Sequence, residues 1–297
     1  MRILFNNVDF GSRSGPNGFG LKLAKELSRM GHKITNDSPD VALNFIQGHC
    51  PGIKNVLRLD GIYFNTSQDW QKQNEPIRMS YNLADAVVVQ SHFNRELVFH
   101  YFGGRENVHV IHNGTSLEEI AKIEPAQTGM SRERIWFCAS SWRPHKRLTE
   151  NIAYFQCHAK QDDVLLIAGS GDIAVLDDCS DPRVRYLGDL NWYQMISVMK
   201  ASLNFIHLAY LDHCPNVVVD ARACGCEVIV SSSGGTKEIA GENAKIIKEE
   251  EWCMDPVNLQ DPPRLDFSYS ERNIIENSID ITKVAELYAN LLFQLSG

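Results

Sequence analysis

Three clusters in the 297-residue sequence carry side chains suited to holding an anion or a sugar. Residues 11–20 (GSRSGPNGFG) combine four glycines with Asn17. Around Gly15, Asn17 and Gly18 such a backbone can approach a phosphate or an acceptor closely and aim amide N–H groups at it. The stretch matches neither a strict GxGxxG nor a P-loop, and it also reads as an ordinary turn between a strand and a helix. Residues 140–148 (SSWRPHKRL) crowd Arg143, Lys146 and Arg147 behind an apolar run, where a planar guanidinium fork and an ammonium point charge suit a diphosphate. The alternative there is a solvated basic turn with Trp142 capping the core. Residues 211–235 (LDHCPNVVVDARACGCEVIVSSSGG) place Asp212 just before, and Asp220 one turn into, a helix opening near Asn216 and Val217. Both carboxylates can then reach a hydroxyl-bearing ligand at the helix mouth. A capping acid and a satisfied buried acid is the competing interpretation.

These clusters need strand ends to hold them. Short apolar runs at 2–8, 41–45, 56–59, 86–90 and 108–112 read as strands, with helices at 18–30 and 92–102. A polar stretch with Pro125 and Gly129, residues 115–134, reads as a linker. The pattern then restarts, with strands at 135–139, 164–168, 184–187, 203–207, 227–230 and 245–247 and helices at 148–160, 192–201, 217–223 and 282–295. Strand–helix alternation argues for parallel sheets covered by helices, with ligands at the carboxyl ends of the strands. The expected architecture is α/β: two Rossmann-like domains facing a cleft, divided as 1–115 on the acceptor side, 116–280 on the donor side, and a helix over 281–297 that packs back on the first domain.

Composition narrows the partners. The net charge is −8, which argues against nucleic acid. Residues 1–115 carry 12 Lys/Arg against 10 Asp/Glu, and the remainder carry 17 against 27, so the first half suits an anion better. Eight scattered cysteines lack paired metal spacing and read as reduced. No run of 18 apolar residues occurs and the start is too short in apolar residues for a signal peptide, so no transmembrane segment and a cytoplasmic location are expected.

The segment CPNVVVDARACGCEVIVSSSGGTKEI resembles the donor-binding segment of retaining family-4-type glycosyltransferases of the GT-B fold. There, two glutamates with seven residues between them precede an Ala-Cys-Gly run, a Val-rich strand and a Gly-Gly-x-x-Glu turn. Asp212 and Asp220 stand in the glutamates' places, and the turn is residues 234–238 (GGTKE). Arg143 and Lys146 resemble the family's Arg and Lys, although with two intervening residues where four are commoner. LLIAGSGD (165–172), VRYLGDL (184–190), VHVIHNGTSLEEI (108–120) and VVVQSHFNREL (87–97) resemble its other strand ends and its interdomain junction.

The resemblance implies a metal-independent enzyme, without cofactor, that moves a sugar from a nucleoside-diphosphate-sugar donor to an unidentified sugar, lipid or protein acceptor. It assigns Arg143 and Lys146 to the diphosphate, Asp220 to the ribose, Asp212, Asn216 and Val217 to the sugar, and backbone at Gly169 and Leu187 to the base. The histidine common on the first domain's side of the cleft has no clear equivalent; Asp60 in LRLDG takes its place as a candidate catalytic residue beside Asp212, with His49 second. A non-catalytic sugar-nucleotide binding protein, a nucleotide-sugar epimerase of the same fold and a dinucleotide oxidoreductase are the alternatives.

Overall fold

The computed structural model describes residues 1–12 and 14–296. Two parallel sheets organise it. The first has the order β2-β1-β3-β4-β5-β6, built from β1 (Arg2–Asn6), β2 (Lys33–Ile34), β3 (Val41–Phe45), β4 (Lys54–Leu59), β5 (Ala86–Val89) and β6 (Val108–Val110). The second has the order β13-β12-β11-β10-β7-β8-β9, from β7 (Ile135–Ala139), β8 (Val164–Ala168), β9 (Val184–Tyr186), β10 (Asn204–His207), β11 (Glu227–Ser231), β12 (Lys245–Ile247) and β13 (Ser270–Arg272). Among the described residues only β13 runs antiparallel, at the edge. Central strands such as β3, β5, β7 and β8 are buried along their whole length, as strands covered on both faces must be. The expected pair of Rossmann-like α/β domains is what the chain forms.

Both sheets reverse direction of growth at their first strand. In the second, the chain goes from β7 out to β8 and β9, then returns to lay β10 on β7's other side. A crevice opens where neighbouring connections leave in opposite directions, and here it lies between the ends of β7 and β10. The corresponding point of the first sheet lies between β1 and β3.

The helices are α1 (Gly15–Arg29), α2 (Trp70–Leu83), α3 (His92–Phe102), α4 (Leu117–Ala121), α5 (Leu148–His158), α6 (Trp192–Lys200), α7 (Asn216–Ala223), α8 (Thr236–Ile239) and α9 (Ile281–Ser296). Two expectations need correction. Helix α1 starts at Gly15, because Ser14 is extended at the N-cap and Pro16 is preset for a first turn; Gly15, Asn17 and Gly18 are thus helical. Residues 115–134, which read as a linker in sequence, contain α4, whose N-cap Ser116 accepts from the amide of Glu119 at 3.1 Å.

Helix α9 crosses back to the first sheet. Ile281, Val284, Ala285, Tyr288, Leu291 and Leu292 are buried in one core with Phe19, Leu23 and Leu27 of α1 and Ile3, Val41 and Val56 of the sheet. Beneath it, Arg58 is fully buried, its guanidinium 4.1 Å from the Phe19 ring.

Candidate active site

Lys146 follows β7 and Asp212 follows β10, so both arrive at the crevice of the second sheet. They meet there: Lys146 Nζ lies 2.5 Å from Asp212 Oδ2. The same oxygen is 3.0 Å from His207 Nε2, and Oδ1 accepts from the His213 amide at 3.0 Å. Burial works against a charge on Asp212, yet Lys146 and His207 hold its carboxyl well below the usual carboxylate range. An ionised carboxylate only accepts, so His207 carries its proton on Nε2. His207 is neutral: burial depresses its pKa despite the pull of Asp212. Desolvation likewise lowers His145 and His213, each to about 4. The result is one ion pair walled by neutral imidazoles.

The three cations of residues 143–147 divide. Arg143 is exposed, and among the described residues no carboxylate or carbonyl binds its guanidinium. Lys146 is committed to Asp212. Arg147 turns inward, fully buried, pairing with Glu249 at 2.8 Å and donating to the Pro263 carbonyl at 2.6 Å. Its left-handed backbone, φ 53°, starts α5 and points its side chain away from the crevice. It is an anchor for the segment after β12 rather than part of a basic patch.

Asp220 lies in α7, 2% exposed, with both oxygens engaged. Oδ2 accepts from the indole N–H of Trp192 at 2.9 Å, and Oδ1 from Lys22 Nζ at 3.1 Å. Lys22 belongs to α1 of the first domain and was invisible to sequence reasoning. Pro215 stands at the N-cap of α7, leaving the first-turn amides, those of Asn216 and Val217, without a side-chain cap. Asn216 reaches across the cleft, donating to the Gly15 carbonyl at 3.0 Å and accepting from Asn113 Nδ2 at 2.9 Å.

At the ends of β8 and β9, Gly169 and Leu187 come together. Gly169 donates to the Gly188 carbonyl at 2.9 Å, and the Tyr186 hydroxyl donates to the Gly169 carbonyl at 2.7 Å. Gly169 has φ +107°, and a Cβ there would sit 1.9 Å from the Ser140 carbonyl oxygen, so no other residue fits. Leu187 is exposed beside it.

On the first domain's side, Asp60 follows β4 and accepts from Arg58 and Gln90 through Oδ1, while Oδ2 is buried with no hydrogen-bond partner among the described residues. Burial raises its pKa against the opposing pull of Arg58. The next residue, Gly61, packs against the His213 ring; an added Cβ would lie 2.5 Å from Nε2. Asp60 is thereby brought to the loop that carries Asp212. His49 is not. It is exposed and felt by Asp85, which precedes β5, placing it towards the amino ends of the strands. In the glycine-rich stretch, Gly18 has open space at its Cβ position and Asn17 Oδ1 accepts from the Asp9 amide at 3.0 Å. The glycine that packing requires is Gly20, where a Cβ would meet Val8 at 2.8 Å.

Glu238, the last residue of the Gly-Gly turn, closes the cleft from the side. It accepts from the amides of His92 and Phe93 at 2.7 and 2.8 Å, the start of α3, and lies 3.2 Å from His112 Nε2. Among the described residues, no three His, Cys, Asp or Glu side chains converge as ligands of one metal ion, and no helix is long and apolar enough to cross a membrane.

No curated protein matches the chain. Among solved structures, Anabaena Alr3699/HepE in complex with UDP-glucose superposes with a TM-score of 0.71 at 16% identity, covering 99% of this chain and 100% of that one. AviGT4, a glycosyltransferase involved in Avilamycin A biosynthesis, gives 0.67 at 13% identity over 99% and 98%. Sucrose-phosphate synthase from Thermosynechococcus elongatus gives 0.65 at 14% identity over 84% and 86%. Residues 132–256, which include Arg143, Lys146 and Asp212 after their strands and Asp220 in α7, match the family model described as glycosyl transferases group 1. The second domain thus matches the glycosyl transferases group 1 model over residues 132–256, and the chain has the two-domain GT-B fold of these structures.

Proposed function

We propose that this glycosyltransferase moves a sugar from a nucleoside-diphosphate-sugar, with a uridine nucleotide first in line, to an acceptor hydroxyl with retention at the anomeric carbon and without a metal ion. The observation that supports this reading is the meeting of Lys146 and Asp212 at the crevice between β7 and β10, with Arg143 in the same turn as Lys146 and Asp220 in the helix that follows Asp212. The uridine assignment rests on the likeness to HepE, whose structure holds UDP-glucose.

In this reading Arg143 and Lys146 take the diphosphate, and the first-turn amides of α7 take the sugar together with Asp212. Asp220 takes the ribose diol, and the backbone at Gly169 and Leu187 flanks the base. As the anomeric carbon–phosphate oxygen bond breaks, negative charge builds on the leaving diphosphate, where fixed cations act most strongly. The acceptor oxygen bonds to the same face of the anomeric carbon and its proton passes to the leaving phosphate. Asp60 faces the sugar from the first domain. The reaction is assigned to the cytoplasm.

Incubation with UDP-, GDP- and ADP-sugars in EDTA, followed by NMR of the released sugar, tests the proposal. Slow release with the donor's anomeric configuration supports it. Inverted product, or nucleotide binding with no turnover towards any acceptor, overturns it, the latter in favour of a binding protein.

A further inference from the structure

The carboxylate assigned to the donor's ribose is already taken by a residue of the opposite domain. Lys22 Nζ bonds Asp220 Oδ1 at 3.1 Å and Thr115 Oγ1 at 3.0 Å, and lies 5.2 Å from the centre of the Trp192 ring. The lysine side chain is 18% exposed, the aspartate 2%. Two groups cover Asp220. Trp192 packs against the apolar core of the second domain and its indole is fixed on Oδ2. Lys22 is an unbranched chain reaching in from α1, and it can withdraw towards water without disturbing a core.

Thr115 gives this contact its reach. It is fully buried at the point where the chain first leaves the first domain, and it forms a parallel bridge with Asp280, where the chain returns. The ammonium therefore ties together α1, the interdomain crossing and α7.

We propose that Lys22 is the group that a nucleotide's ribose must replace on Asp220, so that donor binding releases the tie between α1, the crossing at Thr115 and the second domain. The proposal rests on the assignment of the ribose to Asp220. Lys22 is then a positioning residue, acting through Asp220: it satisfies the buried carboxylate until the ribose takes its place and so sets a threshold for the donor.

Calorimetric titration of UDP, GDP and ADP into the full chain tests it, using wild type, Lys22→Met and Lys22→Arg with melting temperatures measured alongside. Removing the competitor raises the fraction of binding-competent protein, so Lys22→Met should bind the preferred nucleotide about three- to tenfold more tightly. Lys22→Arg keeps the charge on Asp220 and should stay near wild type. A merely structural Lys22 would lower the melting temperature without tightening binding. If Lys22→Met does not fold, Lys22→Gln, which leaves Asp220 a neutral donor, carries the same expectation. Unchanged or weaker binding by a folded variant overturns the role of Lys22 while leaving the ribose assignment standing. Wild type that binds none of the three nucleotides overturns both.

Discussion

Lys146 and Asp212 lie 66 positions apart in sequence and form one ion pair at the junction of β7 and β10. Each had been assigned a separate partner on the donor, the diphosphate and the sugar. In the folded chain they satisfy each other, which leaves Arg143 as the cation of this turn that makes no such pair among the described residues.

Arg143 and Lys146 should therefore respond differently to removal. Arg143→Ala is expected to weaken nucleoside-diphosphate binding by about ten- to a hundredfold, the worth of a charge-assisted hydrogen bond, with an unchanged melting temperature. Lys146→Ala should weaken binding by a similar factor and also lower the melting temperature, because Asp212 is left buried without its cation. Calorimetry beside thermal melts reads both; two variants with wild-type affinity would show that the turn is only surface.

The aspartates should separate affinity from turnover. Asp220→Asn is expected to weaken UDP binding, since an amide accepts less strongly from two hydroxyls than a carboxylate does. Asp212→Asn should leave UDP affinity nearly intact and reduce kcat, as its contact with the sugar matters most while charge develops there. Wild-type affinity and wild-type activity per folded molecule in both variants would refute the assignment.

Acid should weaken the fold through its buried histidines. His145 and His213 have pKa values of about 4 in the folded chain against 6.5 in an unfolded one, both held down first by burial. Between those limits the unfolded state binds protons that the folded state refuses, so stability is full above pH 6.5 and falls as pH drops towards 4. His213→Phe keeps a ring among Phe64, Phe93 and Trp252 and should flatten that fall. Thermal melts from pH 7 to 4 check it; parallel profiles for variant and wild type would count against the burial argument.

Removing residues 281–297 should strip the cover from α1 and the first sheet, exposing Phe19, Leu23 and Leu27. Aggregation is the expected result, because each large buried apolar side chain is worth about 1.5–3 kcal/mol. A soluble truncation with an unchanged melting temperature would contradict the packing.

The sequence displays what the sheets demand and hides what the domains exchange. β3, β5, β7 and β8 announce themselves as apolar runs because both faces are covered. Helix α2 escapes notice, since Pro76 sits in its middle and its composition is polar. β13 is an exposed edge strand, SER, with no apolar signal at all. The crevice residues Arg143, Lys146, Asp212 and Asp220 stand out because they cluster after strands. Lys22, Trp192 and His207, which decide what those residues touch, carry no local pattern. Their partners lie five to nearly two hundred positions away, and only the folded chain pairs them.

Helix α9 also fixes an order of events. Thr282 contacts Glu26 of α1 across 256 positions, and the core of the first domain includes α9 throughout. A nascent chain thus presents β1 to β6 without the helix that seals them, while the second domain, contiguous from α4 to β13, can complete its own sheet first. During synthesis the domain begun first must be finished last, with Val41, Phe19 and their neighbours waiting unsealed in the interval. Chaperone dependence in this chain should accordingly fall on its amino-terminal half.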